Sequence, residues 1–266
     1  MSTVQGAQFQ LPPWDPYQEN VGILGMQGTG KTTLAKQLLD RVPRIPRWIW
    51  SPQRPMDHYG EFGEPVNDIG ELKRGAYVYT GEFGERTFDQ FCHAAMRQYN
   101  LLLVIDDVHE YVKKQQIPEN FARLINSGRN RGVCSIFLTP SPNIVHNNVL
   151  QSCKHIFAFK MGLESQVKWL ATQFYGPDAY VLLPSHLRRI QPSIGTQYDT
   201  LPDHSYLYRR HTDTTNTLFV PGHAAIEGRE AAEPILAEGQ EVKPEGEPEE
   251  PKEDLEKNEI AEGQAV

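Results

Sequence analysis

The chain has 266 residues, 39% of them hydrophobic and 23% charged, which is enough to bury one substantial core. No window approaches the roughly 18 consecutive apolar residues of a membrane-spanning helix, and no signal segment opens the chain. The three cysteines lack CxxC spacing and the nine histidines form no HxH or HExxH pattern. These spacings argue against a disulfide framework and against a histidine-ligated metal.

The formal net charge of -8 is unevenly distributed. Residues 227–266 hold fourteen acidic and four basic residues, which leaves 20 acidic and 22 basic residues for 1–226. The first part of the chain is therefore close to neutral, and its charge neither supports nor excludes a nucleic-acid partner.

Apolar periodicity predicts alternating strands and helices after an irregular arm over 1–19. The predicted strands are 21–26, 47–51, 76–80, 101–106, 133–139 and 155–161. The predicted helices are 31–42, 87–99, 118–128 and 163–176. Strands that are apolar throughout and alternate with helices indicate a mainly parallel sheet covered on both faces.

The pattern changes near the end of the chain, where 205–210 and 215–220 read as a β-hairpin. Beyond 224 the chain is rich in Glu, Pro, Gly and Ala and cannot bury enough apolar surface to order itself. We therefore expect an N-terminal arm over 1–19, one α/β domain over 20–222 and a disordered acidic tail over 223–266.

The stretch GMQGTGKT at 25–32 follows the first predicted strand and opens the first predicted helix, and it matches GxxxxGK[ST] in full. In this context the glycines let backbone N–H groups converge on phosphate oxygens, helped by the helix N-terminus. We expect Lys31 to reach the β- and γ-phosphates of ATP and Thr32 to ligate Mg²⁺. The predicted nucleotide-binding residues are Gly25, Met26, Gln27, Gly28, Thr29, Gly30, Lys31, Thr32 and Thr33.

A second magnesium anchor is predicted at LLLVIDD, 101–107, where Asp106 ends an apolar strand. Ligands of open α/β sheets lie at such carboxyl ends. Asp107 follows at once and is our candidate for orienting or deprotonating the attacking water. Glu110 and His109 are alternatives for that role.

The chain lacks the [NT]KxD guanine-recognition element of regulatory GTPases. It resembles the additional-strand ATPases, in which the strand beside the phosphate-loop strand has Thr or Gln at its tip. That tip is Thr139 here, and Arg129 and Arg131 precede the same strand.

Three segments together resemble the HerA/FtsK superfamily, and most of all the viral genome-packaging ATPases of the poxvirus and membrane-containing phage type. They are GMQGTGKT (25–32), LLLVIDDVHE (101–110) and GRNRGVCSIFLTPSP (128–142), of which the third is the specific one. The resemblance covers roughly 20–220. It implies a three-layer, RecA-like P-loop NTPase fold with a C-terminal β-hairpin, and it implies ATP and Mg²⁺ as cofactors.

The resemblance also implies catalytic roles. In a homo-oligomeric ring, Arg129, or else Arg131, would reach the neighbour's γ-phosphate, and Thr139 would report hydrolysis. The chain departs from the family at two positions, where Asp107 replaces Glu and Pro140 replaces Gln. Proline has neither a side-chain amide nor an N–H donor, so the sensor would depend on Thr139, with Ser141 as a possible aid.

These features predict an ATP-hydrolysing translocase of double-stranded DNA that packages a viral genome into a preformed capsid. Its partners would be DNA bound without sequence preference and a capsid or portal-vertex protein, in the virion or the host cytoplasm. The alternatives are a conjugation or secretion motor and a non-motor ATP-binding assembly switch. Candidate DNA contacts lie at 187–189, 209–216, Lys113 and Lys114.

Overall fold

The computed structural model is built around one ten-stranded sheet. It describes residues 11–183, 202–221 and 226–227. The chain divides into two units, Met1–Ala232 and Glu233–Val266, and every described residue belongs to the first.

The strands that alternate with helices begin beside the N-terminal arm and run to residue 159. They are β1 (Asn20–Leu24), β2 (Arg47–Trp50), β3 (Glu64–Val66), β4 (Ala76–Tyr79), β5 (Leu101–Ile105), β6 (Val133–Thr139) and β7 (Cys153–Phe159). The strands of the C-terminal end are β8 (Tyr206–Arg210), β9 (Thr217–Phe219) and β10 (Ile226–Glu227).

The strand order is β10-β9-β8-β7-β1-β6-β5-β2-β4-β3. All pairs from β7 to β3 are parallel, and β8, β9 and β10 add an antiparallel edge. Strand β6 lies between β1 and β5, with Leu24 beside Thr139 and Ile105 beside Phe137. The inserted strand expected of additional-strand ATPases is therefore β6.

Six α-helices lie in the described part of the chain. They are α1 (Lys31–Asp40), α2 (Pro55–Tyr59), α3 (Glu85–Met96), α4 (Glu119–Ser127), α5 (Asn147–Gln151) and α6 (Glu164–Leu170). Helix α6 continues through a π-helical turn, Ala171–Tyr175, and the chain turns at Gly176, where φ is 60°.

Strand β5 shows how the layers are built. Leu101, Leu103 and Ile105 pack in one apolar cluster with residues of α3, α4 and α6. Leu102 and Val104 belong to a second cluster, on the other face, with residues of α1 and α2. Side chains of successive strand residues point to opposite faces, so an all-apolar strand is buried on both sides. The predicted three-layer fold with a mainly parallel sheet and a terminal hairpin is confirmed.

Four of the named strands and helices were not predicted: α2, α5, β3 and β10. All four are short, and 52–75 is rich in Pro, Gly and charged residues, so its composition gives no sign of the three-residue strand β3. β3 forms the edge of the described sheet, and its Glu64 and Pro65 are exposed.

The described part of the N-terminal arm ends in a buried polar cluster, which we call the Glu19 cluster (Glu19, Lys154, His155, Tyr208 and Arg210). The Glu19 carboxylate accepts from Lys154 Nζ, His155 Nε2 and Arg210 Nη2, each at 2.9 Å. His155 also hydrogen-bonds with the Tyr208 hydroxyl at 2.9 Å. These bonds tie the start of β1 to β7 and β8.

Strand β10 lies inside the segment 223–266 that the sequence predicts to be a tail, and it pairs with β9. Most of that tail, residues 1–10 of the arm and the candidate DNA contact at 187–189 lie outside the described residues. In the part of the chain that is described, no helix has both the length and the apolar character needed to cross a bilayer.

Candidate nucleotide-binding site

The phosphate loop connects β1 to α1 through glycines in left-handed or extended backbone conformations. The φ angles of Gly25, Gly28 and Gly30 are 150°, 78° and 105°. A Cβ at Gly25 would lie 2.5 Å from Cβ of Phe159, the last residue of β7. The loop can therefore pass this close to β7 only with glycine at 25.

Two neighbouring strands hold the loop by backbone hydrogen bonds. The Gly25 N–H donates to the Thr139 carbonyl at 3.3 Å, and the Met26 N–H donates to the Lys160 carbonyl at 3.2 Å. The Thr29 hydroxyl donates to the Met26 carbonyl at 2.8 Å and closes the turn. The end of β6 and the residue that follows β7 thus shape the loop.

Lys31 lies in the centre of the loop. Its Nζ donates to the carbonyls of Gly25 at 2.7 Å and Met26 at 3.0 Å. Burial lowers the pKa of Lys31, while the charges of Asp106 and Asp107 act in the opposite direction. An ammonium held this way can exchange carbonyl oxygens for phosphate oxygens, which are stronger acceptors.

The remaining predicted loop residues lie on the same strand–loop–helix connection. Gln27 and Gly28 are exposed at its tip, and Thr33 is exposed on the first turn of α1. The structure thus brings together the whole predicted phosphate-binding segment. In the described chain, no side-chain hydrogen bond or ion pair links Thr33 to the other site residues.

Asp106 follows β5 and is 7% exposed. Its carboxylate accepts from the Tyr59 hydroxyl at 3.1 Å and from the Asp107 N–H at 3.0 Å. Burial, and then the neighbouring charge of Asp107, raise the pKa of Asp106 to about 6. A buried carboxylate that is costly to ionise, beside the Thr32 hydroxyl, gives the oxygen donors that Mg²⁺ prefers. The residues fit the metal, which would neutralise charge on the bound phosphates.

Tyr59, the last residue of α2, was not foreseen as a site residue. Its side chain is fully buried, and its hydroxyl donates to Asp106. Burial, followed by the charge of Asp106, raises its pKa well above the usual value, so the phenol stays protonated. The sequence holds no signal for this contact, because Tyr59 lies in a polar segment with no motif and 47 residues before Asp106.

Asp107 and Glu110 lie on the turn that follows β5. Asp107 is half-buried and adopts the left-handed conformation, with φ 51° and ψ 44°, whereas Glu110 is exposed. Asp107 Oδ1 lies 4.0 Å from Nδ1 of His109. A non-glycine residue in this conformation is uncommon, and such residues occur often at functional sites. The backbone thus presents Asp107, more than Glu110, beside Lys31 and Asp106.

Thr139 ends β6 beside the phosphate loop, as the sequence predicted. The side chain is fully buried, and its hydroxyl donates to the Ser141 carbonyl at 3.1 Å. Ser141 in turn accepts from Gln166 Nε2 at 2.8 Å. A contact between the Thr139 hydroxyl proton and a phosphate would have to replace the bond to Ser141.

Arg129 and Arg131 lie at the opposite end of β6. Arg131 donates from Nη1 to the Met96 carbonyl at 2.9 Å, and its guanidinium lies 4.7 Å from the centre of the Tyr99 ring. Arg129 is exposed. At about 3.3 Å per residue, the length of β6 alone separates them from Thr139 by about 20 Å. Neither arginine lies at the phosphate loop of its own chain.

Comparison with known proteins gives a family match and structural neighbours. Residues 21–161, more than half of the chain, match the model of the ATPase family associated with various cellular activities (AAA). No curated protein shows a significant sequence match.

The structure is similar to the genome packaging NTPase B204 of Sulfolobus turreted icosahedral virus 2 in complex with ATP-gammaS. The TM-score is 0.62 and the identity 17%, over 78% of this chain and 99% of that chain. It is also similar to B204, the DNA-packaging ATPase of Sulfolobus turreted icosahedral virus. The TM-score there is 0.61 and the identity 17%, over 79% of this chain and 100% of that chain.

At these identities the neighbours show the fold, and the resemblance to viral packaging ATPases is confirmed at that level. The family match shows that the chain is an ATPase. The chain therefore belongs to the AAA family of ATPases and hydrolyses ATP with Mg²⁺.

Proposed function

We propose that the chain is an ATP-driven translocase of double-stranded DNA that packages a viral genome, and that it works as a homo-oligomeric ring. The observation that carries this proposal is the arrangement of β6. Thr139, at one end, contacts the phosphate loop, while Arg129, at the other end, is about 20 Å away. An arginine placed there can assist only a nucleotide bound by another subunit.

The surroundings of Arg129 support a contact with a neighbouring subunit. Arg129 lines an open cleft of about 390 Å³ together with Lys154, His211 and polar residues such as Asn126 and Asn148. Within the described residues, no hydrogen bond or ion pair occupies the Arg129 guanidinium. Arg131, in contrast, is already held by Met96 and Tyr99. Arg129 is therefore our candidate for the residue that stabilises charge in the transition state across the boundary.

Within the subunit, we assign phosphate binding to the loop 25–33 with Lys31, and magnesium binding to Thr32 and Asp106. Asp107 orients or deprotonates the attacking water, with Glu110 as the alternative. Thr139 senses the γ-phosphate by exchanging its bond to Ser141. These assignments follow from the positions of the side chains around the phosphate loop.

Double-stranded DNA is the proposed substrate because the similar folds named above are described as genome- or DNA-packaging enzymes. Two of the candidate contacts are already engaged within the chain. Arg209 donates to the Phe174 carbonyl and Arg210 pairs with Glu19 at 2.9 Å. Lys113 forms an exposed ion pair with Glu85 at 2.8 Å, a kind of pair that contributes little and exchanges readily. Lys113 and Lys114 are thus better candidates for phosphate contacts than Arg209 and Arg210.

The first experiment measures steady-state ATP hydrolysis with and without linear double-stranded DNA. We expect DNA to stimulate turnover, with a stimulation that falls as salt rises, because contacts to phosphates release counterions. Lys31→Ala gives the background rate. Turnover that is unchanged by DNA at low salt contradicts the translocase and favours the non-motor assembly switch.

The second experiment tests the ring by mixing two inactive variants, Lys31→Ala and Arg129→Ala. In a mixed ring, some boundaries pair an intact phosphate loop with an intact arginine of the neighbour, so part of the activity should return. Arg131→Ala is the matched comparison, because it removes a guanidinium from the same turn. If assembled mixtures recover no activity, Arg129 does not act across a boundary.

A capsid or portal-vertex partner and a location in the virion or host cytoplasm follow from the packaging role and belong to the same proposal. Co-purification with virions would support them. A motor for conjugation or secretion would also be stimulated by DNA, and it would be distinguished by its absence from virions.

A further inference from the structure

Tyr59 reaches the nucleotide site from the short helix α2, which lies between β2 and β3. Its ring is packed in the apolar cluster that contains Leu34, Ile49 and Val104, and none of its surface is exposed. A phenylalanine would fill this place as well, so packing alone does not explain the hydroxyl. A buried hydroxyl needs a partner, and that of Tyr59 is Asp106, one of the two side chains assigned to magnesium.

The direction of the hydrogen bond follows from the groups involved. The ionised Asp106 carboxylate can only accept, so the single proton of Tyr59 is donated to Asp106 Oδ2 at 3.1 Å. The Tyr59 hydroxyl thus holds one oxygen of the carboxylate that follows β5.

This arrangement orients Asp106, one of the two predicted magnesium ligands. The Asp106 carboxylate is held at one oxygen by Tyr59 and at the other by the Asp107 N–H at 3.0 Å. Partners of this kind orient metal ligands and commonly change metal affinity when they are removed.

We propose that Tyr59 is a positioning residue that orients Asp106 for Mg²⁺. The proposal deepens the assignment of the magnesium ligands and is independent of DNA translocation. It also gives α2 and the polar segment 52–75 a role in nucleotide hydrolysis that no motif in the sequence indicates.

The test is a magnesium titration of nucleotide binding, followed with a fluorescent ATP analogue, on Tyr59→Phe and the unchanged protein. We expect Tyr59→Phe to raise the Mg²⁺ concentration for half-saturation by about 10- to 100-fold. Binding of the analogue in EDTA should stay the same, because the phosphate loop and Lys31 are untouched. That EDTA measurement separates a failure of the proposal from a failure of the nucleotide site itself.

Tyr79→Phe is the matched control. Tyr79 is also buried, and its hydroxyl donates to the Glu82 carbonyl at 3.3 Å, away from Thr32 and Asp106. Its magnesium dependence should equal that of the unchanged protein. An equal rise in both variants, or no rise in Tyr59→Phe, overturns the proposal.

Folding of Tyr59→Phe is checked by circular dichroism, and a marginal variant is titrated again with trimethylamine N-oxide, which favours the folded state. Recovery of the fold with a raised magnesium requirement supports the proposal. A variant that stays unfolded in the osmolyte shows that the hydroxyl serves the fold, and the proposal is then rejected.

Discussion

Gly25 and Thr139 are joined by a backbone hydrogen bond of 3.3 Å, from the first residue of the phosphate loop to the last residue of β6. Their strands run in parallel register, with Leu24 beside Thr139. Any displacement of the tip of β6 therefore acts directly on the backbone that surrounds the phosphates. The Thr139 side chain contributes nothing to this bond, so its own role can be tested separately.

Thr139→Val keeps the shape of the side chain and removes the donor to the Ser141 carbonyl. We expect stability to fall by about 1 kcal/mol, the usual effect of losing a buried hydrogen bond. ATP should still bind, and the hydrolysis rate should fall further than stability explains if Thr139 is the sensor. Single-turnover hydrolysis and equilibrium nucleotide binding measure the two effects.

Ser141→Ala is the comparison, because it removes the acceptor for Gln166 but leaves Thr139 in place. If Ser141→Ala slows hydrolysis as much as Thr139→Val, the sensor role does not belong to the Thr139 hydroxyl alone, and Ser141 takes part in it.

Lys31→Ala should abolish hydrolysis and weaken ATP binding by about 10- to 100-fold, because the phosphates lose a charged hydrogen-bond donor. Lys36→Ala on the same helix is the control, since Lys36 forms an exposed pair with Glu61 at 3.0 Å. Calorimetric titration with ATP measures both. Equal affinity for ATP in the two variants would show that Lys31 does not contact the nucleotide.

Asp107→Asn should bind Mg·ATP nearly as well as the unchanged protein and hydrolyse it more slowly by about 100-fold or more, as expected for loss of a positioned base. Glu110→Gln should have a small effect, because Glu110 is exposed on the following turn. Burst-phase measurements separate binding from hydrolysis. A larger loss in Glu110→Gln would show that Glu110 activates the water.

The Glu19 cluster should make the protein sensitive to acid. Burial alone would raise the pKa of Glu19, but the Asp15 backbone N–H and the side chains of Lys154, His155 and Arg210 hold it well below its usual range. A carboxylate with a lowered pKa stabilises the fold above its unfolded value, about 4.3, and this stability is lost as the pH falls. Burial also lowers the pKa of His155, so protonating it disfavours the fold below about pH 6.5.

Glu19→Gln should therefore lower the free energy of unfolding at pH 7 by roughly 1–3 kcal/mol, and the difference from the unchanged protein should be smaller at about pH 2.5. Urea denaturation at these two pH values measures it. Glu61→Gln, at an exposed ion pair, is the control. A difference that is constant with pH would mean that Glu19 acts through packing.

Deleting 233–266 should leave the melting temperature and the ATPase rate unchanged, because this segment is rich in Glu, Pro and Gly and has little apolar mass. The truncation begins after β10, which pairs with β9. Calorimetry and the steady-state rate test it. A large fall in melting temperature would show that the tail stabilises the fold.

Much of the fold could be predicted because the central strands are apolar throughout and the helices have clear periodicity. The phosphate loop and Asp106 could be placed because their motifs are local in sequence. The bounds of most long elements differ by a few residues, as for α3, predicted over 87–99 and observed at Glu85–Met96. Helix ends depend on capping and tertiary packing, which periodicity does not contain.

The contact of Tyr59 with Asp106 and the hydrogen bond of Thr139 to Ser141 could not be predicted. The first joins residues 47 positions apart, through a helix of five residues. The second depends on how the chain turns after Thr139 at Pro140, a position where the resemblance suggested a different residue. Both depend on tertiary geometry that no spacing rule describes.

At the edge of the described sheet, β3 contains Pro65 between an exposed Glu64 and Val66. Proline offers no N–H to a further strand, and an edge glutamate disfavours the approach of another sheet. Copies of the chain are thus discouraged from joining by backbone pairing along this edge. A contact with another copy through this edge would therefore use side chains rather than a continuous intersubunit sheet.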